Sequence, residues 1–225
     1  MFVGLDGYRR GWAAVSISSR GNQLEFLPHI GELFVRDYAM AMIDIPIGLP
    51  TSGVRACDRE GRRLLGPNAP RLFTGARRPL LDHVTREDAH CWATASGQAG
   101  VSCQLFCLLP KIKQVDAVMT ADRQEKTRET HPELVFLKLN DGKSLPSKKT
   151  PEGQNARADL LRKQGFGELE EFLLMRLGTR AKPDDILDAC ACALAAKHAA
   201  EGIGSCVPGD KLEKDSRGLK MQIWY

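Results

Sequence analysis

Apolar residues in the first third of the chain come in short runs cut by turn residues. Phe2–Asp6 is one such run and ends in Asp6-Gly7. Trp12–Ser18 is a second, rich in Val, Ile and Trp. Ser19-Arg20-Gly21-Asn22 reads as a turn, and Leu24–Pro28 follows as a third run. The spacing predicts an antiparallel meander of three strands. A short helical stretch over Glu32–Tyr38 leads into Ala39–Ile45, a nearly continuous apolar run. Such a run predicts a strand buried on both faces. It is stopped at Asp44 and by Pro46, Gly48 and Pro50.

Residues 51–84 are punctuated by Gly53, Gly61, Gly66, Pro67, Pro70, Gly75 and Pro79 and read as loop. Thr85-Arg86-Glu87-Asp88 resembles a capping box and predicts a helix start. Val101–Met119 predicts a helix kinked or broken near Pro110. Thr127–His131 reads as a short strand stopped by Pro132. Thr150-Pro151 opens a helix to about Gln164, with Pro at the first helical position. Gly167–Leu177 and the alanine-dense Pro183–Ala200 complete the helices, and the alternating Gly218–Trp224 could add an edge strand. The order β-β-β-α-β, a helical insertion, then β-α-α-α predicts an α/β fold. Its sheet is mixed and five-stranded, a three-strand meander plus parallel strands, flanked by helices. A single domain over residues 1–225 would carry an arginine-rich loop and the helical insertion at about 51–125.

Composition changes this picture little. The chain is 43% hydrophobic and 27% charged, which excludes disordered and collagen-like classes. No apolar run reaches the ~18 residues of a membrane span. The N-terminus is apolar for five residues and then charged, so it does not read as a signal peptide. Seven cysteines at irregular spacing point to free thiols in a reducing compartment, and the expected home is the cytoplasm. His90-Cys91 and Cys103-x3-Cys107 lack the paired spacing of a zinc site.

Charge is more informative by position than by sum. The net charge is +4, yet residues 55–86 alone carry +5, from eight arginines and three acids, and the rest carries −1. Arginine forks suit phosphate, so Arg55, Arg59 and Arg62 are candidate substrate contacts; an ion-paired, solvated loop is the alternative.

The acids supply the candidate chemistry. Asp6 closes the first strand and Asp44 the buried fourth. If those strands are adjacent and parallel, both carboxylates meet at the edge where open α/β sheets bind ligands. Glu133 follows the fifth strand and could reach the same edge. Asp185 and Asp188 share a face of the last helix. Asp6-Gly7 also reads as a turn, and Asp184 or Asp185 as a helix cap. An ionised Asp44 at the end of a buried strand is costly without a partner. Acids converging at one edge suit Mg²⁺ or Mn²⁺ and a two-metal site, one ion activating water and the other stabilising the leaving oxygen.

At these residues the sequence resembles the RNase H-like superfamily. More closely, it resembles the family of predicted RNase H-like nucleases known as domain of unknown function 429. The matching stretches are Gly4–Trp12, Asp44–Pro50, Arg55–Gly66, His131–Phe136, Ser147–Leu161, Asp184–Ala193 and Asp215–Tyr225. Asp185 and Asp188 resemble the last-helix acid pair of RuvC-type resolvases, and Asp6 matches their first-strand aspartate. Asp44 matches the fourth-strand acid, which is Glu in resolvases. Glu133 belongs to the narrower family's pattern. The resemblance implies hydrolysis of nucleic-acid phosphodiester bonds, with Asp6, Asp44, Asp185 and Asp188 holding two Mg²⁺ or Mn²⁺ ions and Glu133 assisting. Lys148, Lys149 and Arg157 lie in a matched stretch and could contact phosphate, or serve only solubility. By analogy with resolvases the chain could act as a homodimer. Two other classes stay open: an ATP-using enzyme of the actin and sugar-kinase type, and a binding module that keeps the fold without chemistry. Against the former, Tyr8-Arg9-Arg10 lacks the expected phosphate-loop hydroxyl.

Overall fold

The computed structural model describes residues 1–209 and 212–225. Its strands are β1 (Phe2–Tyr8), β2 (Gly11–Ser18), β3 (Gly21–Leu27), β4 (Met40–Ile43), β5 (Thr127–Glu129), β6 (Cys206–Val207) and β7 (Ile223–Trp224). Its helices are α1 (Ala56–Leu65), α2 (Arg86–Ala95), α3 (Cys103–Val118), α4 (Ala121–Lys126), α5 (Pro132–Leu139), α6 (Pro151–Lys163), α7 (Leu169–Met175) and α8 (Pro183–Ala200). The chain divides into two compact units. The first comprises residues 1–45, 126–206 and 224–225; the second comprises 46–125 and 207–223. Among the described residues, no helix is long and apolar enough to cross a membrane.

The first unit holds an open, mixed sheet in the order β3-β2-β1-β4-β5. Two-residue turns at Arg9-Arg10 and Ser19-Arg20 join β1, β2 and β3 into the expected antiparallel meander, closed by the pairs Tyr8–Gly11 and Ser18–Gly21. β4 lies parallel to β1, and β5 parallel to β4. All four residues of β4 are buried, as its apolar run requires.

α8 packs against β1, β2 and β4, while α5, α6 and α7 pack against α8. Its residues Ile186–Ala196 are all buried. The alanine and cysteine content of this helix has a steric reason. A Cβ at Gly4 would stand 1.9 Å from the Ala193 nitrogen and 2.3 Å from the Ala189 oxygen. Glycine on the strand and small residues on the helix let the two backbones meet. Cys190 and Cys192 are core residues here, as their setting predicts.

The second unit is helical. α2 starts where expected, with Thr85 Oγ1 accepting from the Asp88 N–H at 3.1 Å. α3 runs unbroken through Pro110, and Ser102 caps it. α1 lies inside the stretch expected to be loop. Its buried positions include Cys57, Asp58, Gly61 and Leu65, so glycine and a carboxylate occupy the face that hydrophobic periodicity would mark. Gly66, at φ +54°, is not a loop signal but the end of that helix.

Two further elements differ from expectation. β5 is three residues, not five, because Pro132 opens α5 rather than merely stopping the strand. His131 caps α5 by accepting the Glu133 N–H on Nδ1. The C-terminal edge strand is short: β7 pairs with β6, and Trp224 forms a parallel bridge to Thr130.

Candidate functional site

The parallel register of β1 and β4 pairs Leu5 with Ile43, and the Asp44 N–H donates to the Leu5 carbonyl at 3.0 Å. Asp6 and Asp44 are therefore the next residues on adjacent strands, at the same sheet edge. The Thr130 N–H continues the ladder to the Ile43 carbonyl at 3.0 Å. Three residues on, Glu133 enters the first turn of α5. Asp6 shares the face of β1 that carries Gly4, the face against α8. Asp188 precedes Ala189, one of the α8 residues seated on Gly4, and is 1% exposed. Thus the parallel register and the glycine contact bring Asp6, Asp44 and Asp188 together.

Their mutual charge is visible in their protonation. Burial raises the Asp6 carboxyl well above its ordinary range, and Asp44, Asp188 and Asp185 raise it further, against partial relief from Lys148. Asp44 is pushed up to about 6 by burial, with Lys148 opposing and Glu133 adding to the rise. Asp188 is likewise raised to about 6 by burial, with Lys148 opposing and Asp44 repelling. Burial also takes Asp185 to about 6, although the Lys182 N–H, which donates to its Oδ2 at 2.7 Å, works against that rise. Asp185 therefore also serves the start of α8, the capping alternative seen in its sequence.

Among the described residues, the ammonium of Lys148 faces this group. Lys148 Nζ is ion-paired with Asp188 Oδ2. Burial would lower its pKa, but Asp188, Asp6 and Asp44 together raise it. Asp188 Oδ1 is buried and has no hydrogen-bond partner. Glu133 is held differently, with Arg157 donating from Nη2 to its Oε1 at 2.6 Å.

The basic residues divide sharply. Arg157, expected to face substrate, is instead fully buried, and its Nη1 donates to the carbonyls of Pro146 and Gly153. Arg55 is likewise an internal residue, 2% exposed, with Nε donating to Asp58 at 3.1 Å and Nη1 to the Ile47 carbonyl. In both, the guanidinium is spent on structure. Arg59 and Arg62 belong to the second unit with Arg55 and donate to the carbonyls of Val54 and Leu72. Lys149 is exposed beside Lys148. Sequence reasoning missed Gly4 as the residue that seats α8; the signal was an alanine-rich helix matched to a glycine two residues before Asp6.

Among the described residues, no three His, Cys, Asp or Glu side chains stand as a ready set around a metal ion. The donor chemistry nevertheless fits a hard divalent cation: several carboxylates, one with an orphaned buried oxygen. In this arrangement Lys148 supplies the positive charge.

No curated protein and no solved structure matches the chain. One family model does, across residues 4–213, which takes in every acid described above. The chain belongs to the family described as "Protein of unknown function (DUF429)".

Proposed function

We propose that the chain is a metal-dependent nuclease of RNase H-like type, hydrolysing phosphodiester bonds of nucleic acid. The observation that carries this reading is the buried meeting of Asp6, Asp44 and Asp188, drawn from two adjacent parallel strands and the helix packed on them. Folding works against bringing ionised carboxylates together out of water, so such a group calls for a cation or a proton. The sheet order and the positions of these acids on it support the RNase H-like assignment.

Asp6, Asp44 and Asp188, with Asp185 beside them, would hold Mg²⁺ or Mn²⁺. The metal supplies an activated water and stabilises charge on the leaving oxygen. The chain's own contributions are separable from that. Without a bound ion Asp44 and Asp188 are raised to about 6, so protons and a cation would compete for them near neutrality. Arg157 fixes Glu133 at the rim of the group. α8, seated on Gly4, sets Asp188 against β1.

The test is cleavage of labelled single-stranded, duplex, hybrid and four-way-junction substrates in Mg²⁺, Mn²⁺ or EDTA. Metal-dependent cutting is expected, with a loss of at least about a hundredfold in Asp6→Asn and Asp188→Asn. Folded wild-type protein that cuts none of these substrates would overturn the reading.

A further inference from the structure

We propose that Lys148 stands in one of the two cation positions of this site, so that the chain takes one divalent ion where a two-metal site would take two. The inference rests on the metal-dependent reading above and fixes the number of ions.

Of the five acids, two are already engaged. Asp185 accepts the Lys182 N–H, and Glu133 is paired with Arg157. Lys148 is bonded to Asp188 Oδ2, which lies in the group with Asp6, Asp44 and Asp185. The vacant acceptor is also present, because Asp188 binds Lys148 through one oxygen while the other is buried without a partner. One carboxylate thus offers an oxygen to each of two cations.

Lys148 is placed to do this as a fixed part of the fold. Its carbonyl accepts from Gln154 Nε2 at 3.0 Å. Thr150, two residues on, caps α6 by accepting the Gly153 N–H. A Cβ at Gly153 would stand 2.0 Å from the Ser147 carbonyl oxygen, so the segment lies tight against the helix. Its side chain is 35% exposed, neither a solvated surface lysine nor a sealed core one. An ammonium is a compact point charge.

The test is Mn²⁺ stoichiometry on the metal-free full chain, by equilibrium dialysis with metal analysis, for wild type, Lys148→Gln and Lys148→Arg. Near-ultraviolet circular dichroism checks folding, and Lys148→Ala serves if the Gln variant misfolds. The expected result is one ion for wild type and the Arg variant, and two for the Gln or Ala variant. Two ions on wild type, or the same number on wild type and Lys148→Gln, would overturn the proposal and leave the metal site intact. No Mn²⁺ on any folded variant would overturn it together with the metal-dependent reading.

Discussion

In the second unit, Asp215 accepts hydrogen bonds from the main-chain N–H groups of Leu49, Arg217 and Leu219, and Arg78 pairs with it. Burial alone would raise its pKa, yet these donors hold it below the ordinary aspartate range. Arg78 also pairs with Asp116, which Arg217 joins at 3.0 Å. In the first unit, Asp6 is buried to a similar degree; burial raises its pKa most, and because its charged neighbours are mostly more acids they add to the rise, so its pKa moves the opposite way. The same side chain is a fastener in one setting and a strained charge in the other. What separates them is the count of donors aimed at the carboxylate. A buried aspartate with four donors is explained by the fold. One surrounded by acids is not, and it is there that a ligand has something to contribute.

The comparison is broken most directly at Asp215. Asp215→Asn sets an amide NH2 among main-chain N–H donors and removes one of the two carboxylates that pair with Arg78, and should cost about 3 kcal/mol. Urea denaturation followed by circular dichroism reads this; a cost under about 1 kcal/mol would mean that the network is not a fastener. Gly4→Ala should come next. Its new methyl would sit 1.9 Å from the Ala193 nitrogen, so α8 must move off β1. Overpacking of this kind costs about 1–3 kcal/mol. Because the same contact seats Asp188, the variant should also weaken Mn²⁺ binding, which an ordinary core defect far from the acids would not do.

Much of this contrast could be read from the sequence, and the unread part has a physical pattern. The meander and the buried β4 follow from short apolar runs cut by turn residues, so Asp6 and Asp44 could be placed at one edge. Asp188 stood out as an acid inside an apolar helix. What escaped was whatever depends on packing or on a particular side-chain partner. Arg157 and Arg55 look like surface charge until Glu133 and Asp58 are seen against them. α1 escaped because Gly61 and Asp58 lie on its buried face, where periodicity expects an aliphatic residue. α5 escaped because Pro132 signals both the end of a strand and the start of a helix. The Lys148–Asp188 pair spans 40 residues, and no local pattern reports it.

The smallest expected effect is the one that opposes ordinary intuition. Asp6→Asn removes a charge that the fold must accommodate, so the metal-free variant should be more stable than wild type at neutral pH, by on the order of 1–2 kcal/mol. The sign follows from linkage. A carboxyl raised in the folded state binds protons there that the unfolded chain, near its ordinary 3.8, has already released. Wild-type stability from Asp6, Asp44 and Asp188 should therefore be greatest below about pH 4 and fall as pH climbs through the folded values, about 6 for the latter two. Asp215 contributes the reverse slope, gaining stability as pH rises toward 3.8 and holding it above, so its window lies lower. Thermal melts from pH 4 to pH 8 separate the two. The gap between Asp6→Asn and wild type should close toward pH 4 and open with rising pH. A variant less stable than wild type across that range would show that Lys148 and the surrounding fold already satisfy Asp6, and the contrast between the two aspartates would collapse.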